Sequence, residues 1–160
     1  MGYLAGFVDA EGSFSVSVKY QPDLRYKIRV DPVFSITQKE RKVLETIQRI
    51  LGCGRIMPKQ GQKNLWVLIV DGLDELYSKL IPALDTLYFI CKKQNYEIFR
   101  QIVLKLKEKE YSLAYRDVEW LVSMAYQLSE YNSKSQRKRT LAEVLKILSG
   151  SLGGKAPGER

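Results

Sequence analysis

From Tyr3 to Tyr20 the chain reads YLAGFVDAEGSFSVSVKY, and its hydrophobic period changes within one residue of Gly12. Leu4 to Gly12 run apolar and small, then acidic, then glycine, and read as a helix. Ser13 to Tyr20 alternate strictly, which is the pattern of a strand with one polar and one apolar face. On the helix, Gly2, Gly6 and Ala10 fall on one i, i+4 ridge, while Leu4, Phe7 and Val8 pack elsewhere around the cylinder. A ridge of small residues lets a second helix approach backbone to backbone. Gly12 is expected to supply the exit turn. Asp9 and Glu11 then sit at the helix C-terminus, the wrong end of the macrodipole for a carboxylate. Either a bound cation compensates them or they are simply solvated.

The rest of the chain extends this pattern. Gln21-Pro22-Asp23 marks a turn, and a second strand is expected from about Arg25 to Thr37. Thr37-Gln38-Lys39-Glu40 has the form of a capping box ahead of a helix carrying Val43, Leu44, Ile47, Ile50 and Leu51, closed by Gly52 and Gly54. Arg55–Lys59, a polar QGQKN turn and Trp66–Asp71 read as a hairpin. Helix returns from about Leu73 with a break at Pro82, then over 92–109, 116–130 and 140–149. One domain over residues 1–150 is expected, with a flexible tail over 151–160. The order αββαββα contains an internal half-repeat and predicts an α+β fold, with helices on one face of an antiparallel sheet. The other face has no obvious cover, so it is either solvated or occupied by a ligand.

Composition narrows the chemistry. The chain has no histidine, which excludes histidine-based triads and nucleases and His-ligated zinc. Cys53 and Cys91 have no metal-ligand spacing and are expected to be buried thiols. Lys and Arg number 26 against 18 Asp and Glu, a formal charge of +8 that points to a polyanion, nucleic acid first. No apolar run reaches the roughly 18 residues of a membrane helix. No basic region precedes an apolar start. An intracellular protein is expected, cytoplasmic in a prokaryote or organellar.

Leu4-Ala5-Gly6-Phe7-Val8-Asp9-Ala10-Glu11-Gly12 resembles the nine-residue motif that names the LAGLIDADG homing endonucleases, and the resemblance covers about residues 3 to 149. It implies a curved saddle of sheet with helices on one face and double-stranded DNA on the other. One motif copy implies a homodimer with Gly2, Gly6, Phe7 and Ala10 in a twofold helix-to-helix contact. Both Glu11 carboxylates then meet at its base, under a paired charge of +16 (2 × 8). By the same resemblance Glu11 is the catalytic acid and Mg²⁺ ligand, in a position more often Asp. The carbonyl of Ala10 is a second ligand, and Mn²⁺ is a plausible substitute. Asp9 is expected to tie off the helix end.

The resemblance assigns Gln38 to a water near the active site. It places a lysine before a later helix, where Lys92 and Lys93 both qualify and Lys92 is preferred. Groove-facing positions are Ser13, Ser15, Ser17 and Lys19 in the first strand. In the second they are Lys27, Arg29, Asp31, Val33, Ser35 and Thr37, and in the third Arg55, Met57 and Lys59. The fourth strand is expected to present Trp66, Leu68 and Val70 there. The run Asn132–Thr140, with Lys134, Arg137, Lys138 and Arg139, fits phosphate contacts. The reading is a site-specific, intron-homing DNA endonuclease that cleaves a long pseudo-palindromic site. Its alternative is a non-catalytic binder of the same fold, an RNA maturase or a DNA-binding regulator. A plain basic structural protein must treat the nine-residue match as coincidence.

Overall fold

The computed structural model describes residues 2–110, 112–132 and 135–153. Helix α1 (Gly2–Glu11) passes directly into β1 (Gly12–Tyr20), which turns back into β2 (Ile28–Gln38). After α2 (Arg41–Leu51) come β3 (Arg55–Pro58) and β4 (Trp66–Val70). The four strands form one antiparallel sheet in the order β1-β2-β4-β3. The second strand of each half-repeat therefore lies at the centre. The mixed helix and open-sheet architecture is the expected one.

Alternation fixes the two faces. Phe14, Val16, Ile28, Val30, Phe34, Ile36, Leu68 and Val70 are buried under the helices. Leu4 and Val8 of α1 join this core, as do Leu44 and Ile47 of α2. Alternate residues of each strand stay on the uncovered face. Pro32 lies in the part of β2 paired only with β1, because β4 begins its pairing at Phe34, so its missing N–H breaks no central ladder.

Several boundaries differ from expectation. Strand β2 starts at Ile28 and runs to Gln38, so Thr37 and Gln38 are strand residues. Glu40 precedes α2 with no side-chain cap, and the expected capping box is absent. Pairing Thr37 to Val67 and Gln38 to Trp66 took precedence over local capping. The helix break at Pro82 is milder than expected. Short α3 (Leu73–Glu75) leads into a π turn (Leu76–Leu80) and then α4 (Ile81–Leu84). There the Ile81 N–H reaches back five residues to the Leu76 carbonyl. A widened turn just ahead of Pro82 accommodates a residue that cannot donate.

Helices α5 (Lys93–Glu108), α6 (Tyr115–Tyr131) and α7 (Leu141–Gly150) complete the covering layer, and a 3₁₀ turn (Ser151–Gly153) follows. Strand β1 lies at the sheet margin. The carbonyls of its alternate residues Gly12, Phe14 and Val16 accept from Lys92 Nζ (2.9 Å), Asn132 Nδ2 (2.9 Å) and Arg137 Nη2 (2.7 Å). Asn95, the one buried polar side chain among the described residues, donates to Asn132 Oδ1 at 2.9 Å and holds that amide in place.

Arg137 is therefore a structural hub, contrary to its expected place among phosphate contacts. Its guanidinium also donates to Ser129 Oγ (2.7 Å) and the Ala125 carbonyl (2.8 Å), and lies over the Tyr126 ring. Burial pushes its pKa down, without removing the charge. Arg137→Met leaves carbonyls unpaired and is expected to destabilise by about 2–3 kcal/mol. The neighbouring Lys138→Met should stay within about 0.5 kcal/mol. Urea unfolding of both variants checks this, and equal midpoints would remove the assignment.

Candidate active site and nucleic-acid interface

The motif helix leaves one side bare. Gly2, Gly6 and Ala10 are all exposed, Phe7 is half-buried, and nothing lies within 4 Å of where a side chain on Gly2 or Gly6 would project. Tyr3 on α1 and Ile90, whose amide bonds to Asp9, are exposed alongside. At the end of the helix Glu11 is exposed, and no hydrogen bond or ion pair forms to it among the described residues. Gly12 follows at once as a strand residue. Its constraint is close approach, because a Cβ there would lie 2.6 Å from the Val8 carbonyl oxygen.

Asp9 behaves differently from Glu11. Its Oδ2 accepts from the amides of Ile90 (3.1 Å) and Cys91 (3.0 Å), and its Oδ1 from the amide of Lys92 (2.7 Å). It ties α1 to the start of α5 and does more than finish its own helix. Helix α5 has no side-chain cap of its own, which is the sequence signal that a partner must come from elsewhere. The same segment separates the two lysines. Lys92 turns its ammonium to the Gly12 carbonyl, beside Glu11, whereas Lys93 borders a separate small cavity with Asp85 and Tyr88. Cys91 is exposed, so only Cys53 is the buried thiol expected of both.

Three carboxyls are held below the usual range. Burial opposes ionisation of Asp9, and its three amide donors override it. The Arg55 guanidinium does the same for Asp71, bonding it at 2.6 and 2.9 Å. Burial opposes Asp85, and Arg100 with Tyr96 outweighs it. Lowered carboxyls stabilise the folded chain fully above the unfolded value of about 3.9, and that help is lost as pH falls through the lower folded values. The urea midpoint should hold between about pH 5 and 7 and fall below about pH 4, less steeply in Asp9→Asn. A midpoint that stays level to about pH 3 would contradict this.

The uncovered sheet face carries most of the expected row. Register places Ser13 opposite Ser35, Ser15 opposite Val33, Ser17 opposite Asp31 and Lys19 opposite Arg29. Thr37, Arg55 and Met57 share that face through their partners Val67 and Ile69. Asp31 pairs with Arg29 at 2.9 Å and with Lys19 at 3.7 Å. These exposed pairs are weak and can exchange for a phosphate or base edge. Lys27 and Lys59 lie just outside the strands, and Lys27 Nζ donates to the Pro22 carbonyl. Lys134 lies outside the described residues.

Gln38 pairs with Trp66 on the helix side of the sheet, half-buried at the end of β2. One expectation is corrected here. Leu68 and Val70 are fully buried and Trp66 shares their side, so β4 shows Val67 and Ile69 to the open face. Asp71 was the available signal: an exposed acid one step beyond Val70 sets odd-numbered residues outward. Beside β1, Ser17, Lys19, Tyr20, Gln136, Lys138 and Arg139 border an open groove of about 460 Å³.

This geometry has close counterparts. The sequence profile of the LAGLIDADG endonucleases matches residues 4–103, from the motif helix through most of α5. The chain belongs to the LAGLIDADG endonuclease family. A homing endonuclease of Aeropyrum pernix, I-ApeII, is 50% identical over 99% of this chain and 96% of its own. The solved archaeal intron-encoded homing endonuclease I-Vdi141I, complexed with DNA, superposes with a TM-score of 0.91 and 46% identity over 96% of each chain. At 23% identity and a TM-score of 0.78, I-CvuI shares the fold over 93% of this chain and 92% of its own, and was solved with a DNA target in the presence of Mg.

As a LAGLIDADG endonuclease the chain offers oxygen ligands for a hard cation: the Glu11 carboxylate and the carbonyls of the last helical turn, which have no helical donor. No cluster of three or more Asp, Glu, Cys or His side chains forms among the described residues. An exposed carboxylate beside carbonyl oxygens suits a hard divalent cation, which keeps waters and takes further oxygen ligands from a substrate. No helix of the described chain is long and apolar enough to cross a membrane.

Proposed function

We propose that the chain is a site-specific double-strand DNA endonuclease of the homing type, acting as a homodimer with Mg²⁺ on a long pseudo-palindromic site. The observation that carries this reading is Glu11, an exposed carboxylate with no hydrogen-bond or ion-pair partner among the described residues, at the end of an uncovered small-residue helix. Pairing that helix with a second copy across Gly2, Gly6 and Ala10 puts two Glu11 carboxylates together between two uncovered sheet faces. Serines, Thr37, Arg29 and Arg55 on those faces suit base edges directly or through water. Lys138 and Arg139 suit the phosphates flanking them.

In this site Glu11, with the Ala10 carbonyl, would hold the metal. Lewis acidity toward the scissile phosphate is what Mg²⁺ supplies when bound. Lys92 places a positive charge beside Glu11, where it can stabilise the transition state. Gln38 reaches the site only from the end of β2, where its amide can orient a water.

The test is selection of duplexes from a randomised, palindrome-biased pool, followed by incubation with Mg²⁺. Double-strand cleavage at one position is expected. Selected duplexes that stay intact with both Mg²⁺ and Mn²⁺ would leave the non-catalytic binder as the reading.

A further inference from the structure

We propose that Asp9 is a positioning residue for Lys92. The sixth motif residue fixes the backbone of the 90–92 segment, so that the Lys92 ammonium arrives at Gly12, next to Glu11. This rests on the reading of Lys92 as an active-site group.

The bonds are asymmetric in what they achieve. Both Asp9 oxygens are used on three consecutive amides some eighty residues away, the shortest being that of Lys92 itself at 2.7 Å. Ile90 and Cys91 are exposed, so no packing of their side chains holds this stretch. Phe89 is buried before it and Asn95 after it. Between those anchors the carboxylate of Asp9 fixes the backbone, and charge-assisted amide bonds are the stronger kind. A lysine ammonium ends a flexible four-carbon stem, so its reach to the Gly12 carbonyl at 2.9 Å depends on where its Cα is held. Asp9 and Glu11 leave the same helix end two residues apart. The span from acid to lysine is therefore set inside α1 and is independent of the far side of the core. A displacement of about 1 Å in such a group can cost about a hundredfold in rate.

A cap that merely steadies α5 would be indifferent to the Lys92 side chain, and a double-mutant cycle separates the two cases. Single-turnover cleavage is measured for Asp9→Asn, Lys92→Met and the double variant. DNA affinity without divalent metal and sedimentation are controls. Lys92→Met is expected to slow cleavage about a hundredfold or more, Asp9→Asn about tenfold or more, and the double variant should match Lys92→Met within about twofold. An Asp9→Asn effect that persists undiminished in the Lys92→Met background would overturn the proposal, as would an Asp9→Asn rate equal to the wild type. A wild-type rate for Lys92→Met would instead remove the role of the lysine, and the proposal with it. Should Asp9→Asn weaken the dimer, Asp9→Ser takes its place in the same cycle. Amide exchange gives a readout without DNA: the amides of Ile90, Cys91 and Lys92 should exchange faster in Asp9→Asn while Ile98 and Phe99 keep their protection. Unchanged exchange at residues 90–92 would also overturn it.

Discussion

Glu11→Gln is expected to bind the selected duplex and to cleave it at least about a thousandfold more slowly. The side chain is exposed and has no partner among the described residues, so little of the fold depends on its charge. Stability should stay within about 0.5 kcal/mol of the wild type. Glutamine keeps the length and loses the anion, which weakens its hold on a hard cation. A single electrostatic contributor of this kind is worth about 10²–10³ in rate, and in a homodimer the change enters both halves of the site. Without metal the variant should bind DNA somewhat more tightly, because a negative charge facing phosphates has gone. Nicking and double-strand cleavage are read on one gel, beside a metal-free binding titration. A cleavage rate within about tenfold of wild type would move the acid elsewhere.

Gly12→Ala is expected to damage the fold severely for so small a change. The new Cβ would meet the Val8 carbonyl oxygen at 2.6 Å and a Val8 methyl at 3.0 Å, and Val8 is itself fully buried. Neither contact is the free end of a flexible side chain, so α1 must shift against β1. Overpacking of this severity costs about 3 kcal/mol, the upper part of the usual range. For a chain of this size that is about 10 °C in melting temperature. Any residual folded protein should also cleave poorly, since the shift occurs one residue from Glu11. Gly6→Ala is the control within the same helix: its Cβ meets nothing within 4 Å, and a single chain should tolerate it. Similar melting temperatures for the two variants would refute the close-packing account.

Much of the fold was legible because two periods carry it. The change at Gly12 and the strict alternation of Ser13–Lys19 placed α1, β1 and the open face correctly, and the helices over α5, α6 and α7 were set by apolar spacing. Local signals misled where tertiary pairing was stronger. Thr37 and Gln38 look like a helix cap and are held in β2 by β4. Trp66–Val70 is apolar throughout, so its phase had to come from the register with Phe34 and Ile36. The place of Glu11 at the exposed end of α1 was legible from its motif neighbours, whereas the bonds made by Asp9, Asn132 and Arg137 were not. Their partners are backbone groups distant in sequence, and a sequence shows no backbone addresses. Arg137 is the sharpest case: a basic run normally means solvent or phosphate, and one member of this run is bonded into the fold.

The occupied carbonyls of Gly12, Phe14 and Val16 also bear on how copies of the chain can misassemble. A free sheet margin invites a second strand and, through it, edge-to-edge aggregation. On β1 that invitation is withdrawn by three side chains from two connections of the helical layer, the one before α5 and the one between α6 and α7. The opposite margin, β3, is only four residues long and ends in Pro58. With both margins unfit for strand addition, sheet-edge pairing does not compete with the proposed α1 contact. Asn132→Ala and Arg137→Met should therefore do more than loosen a helix. By reopening β1 they should raise the tendency to aggregate on concentration, which light scattering would record.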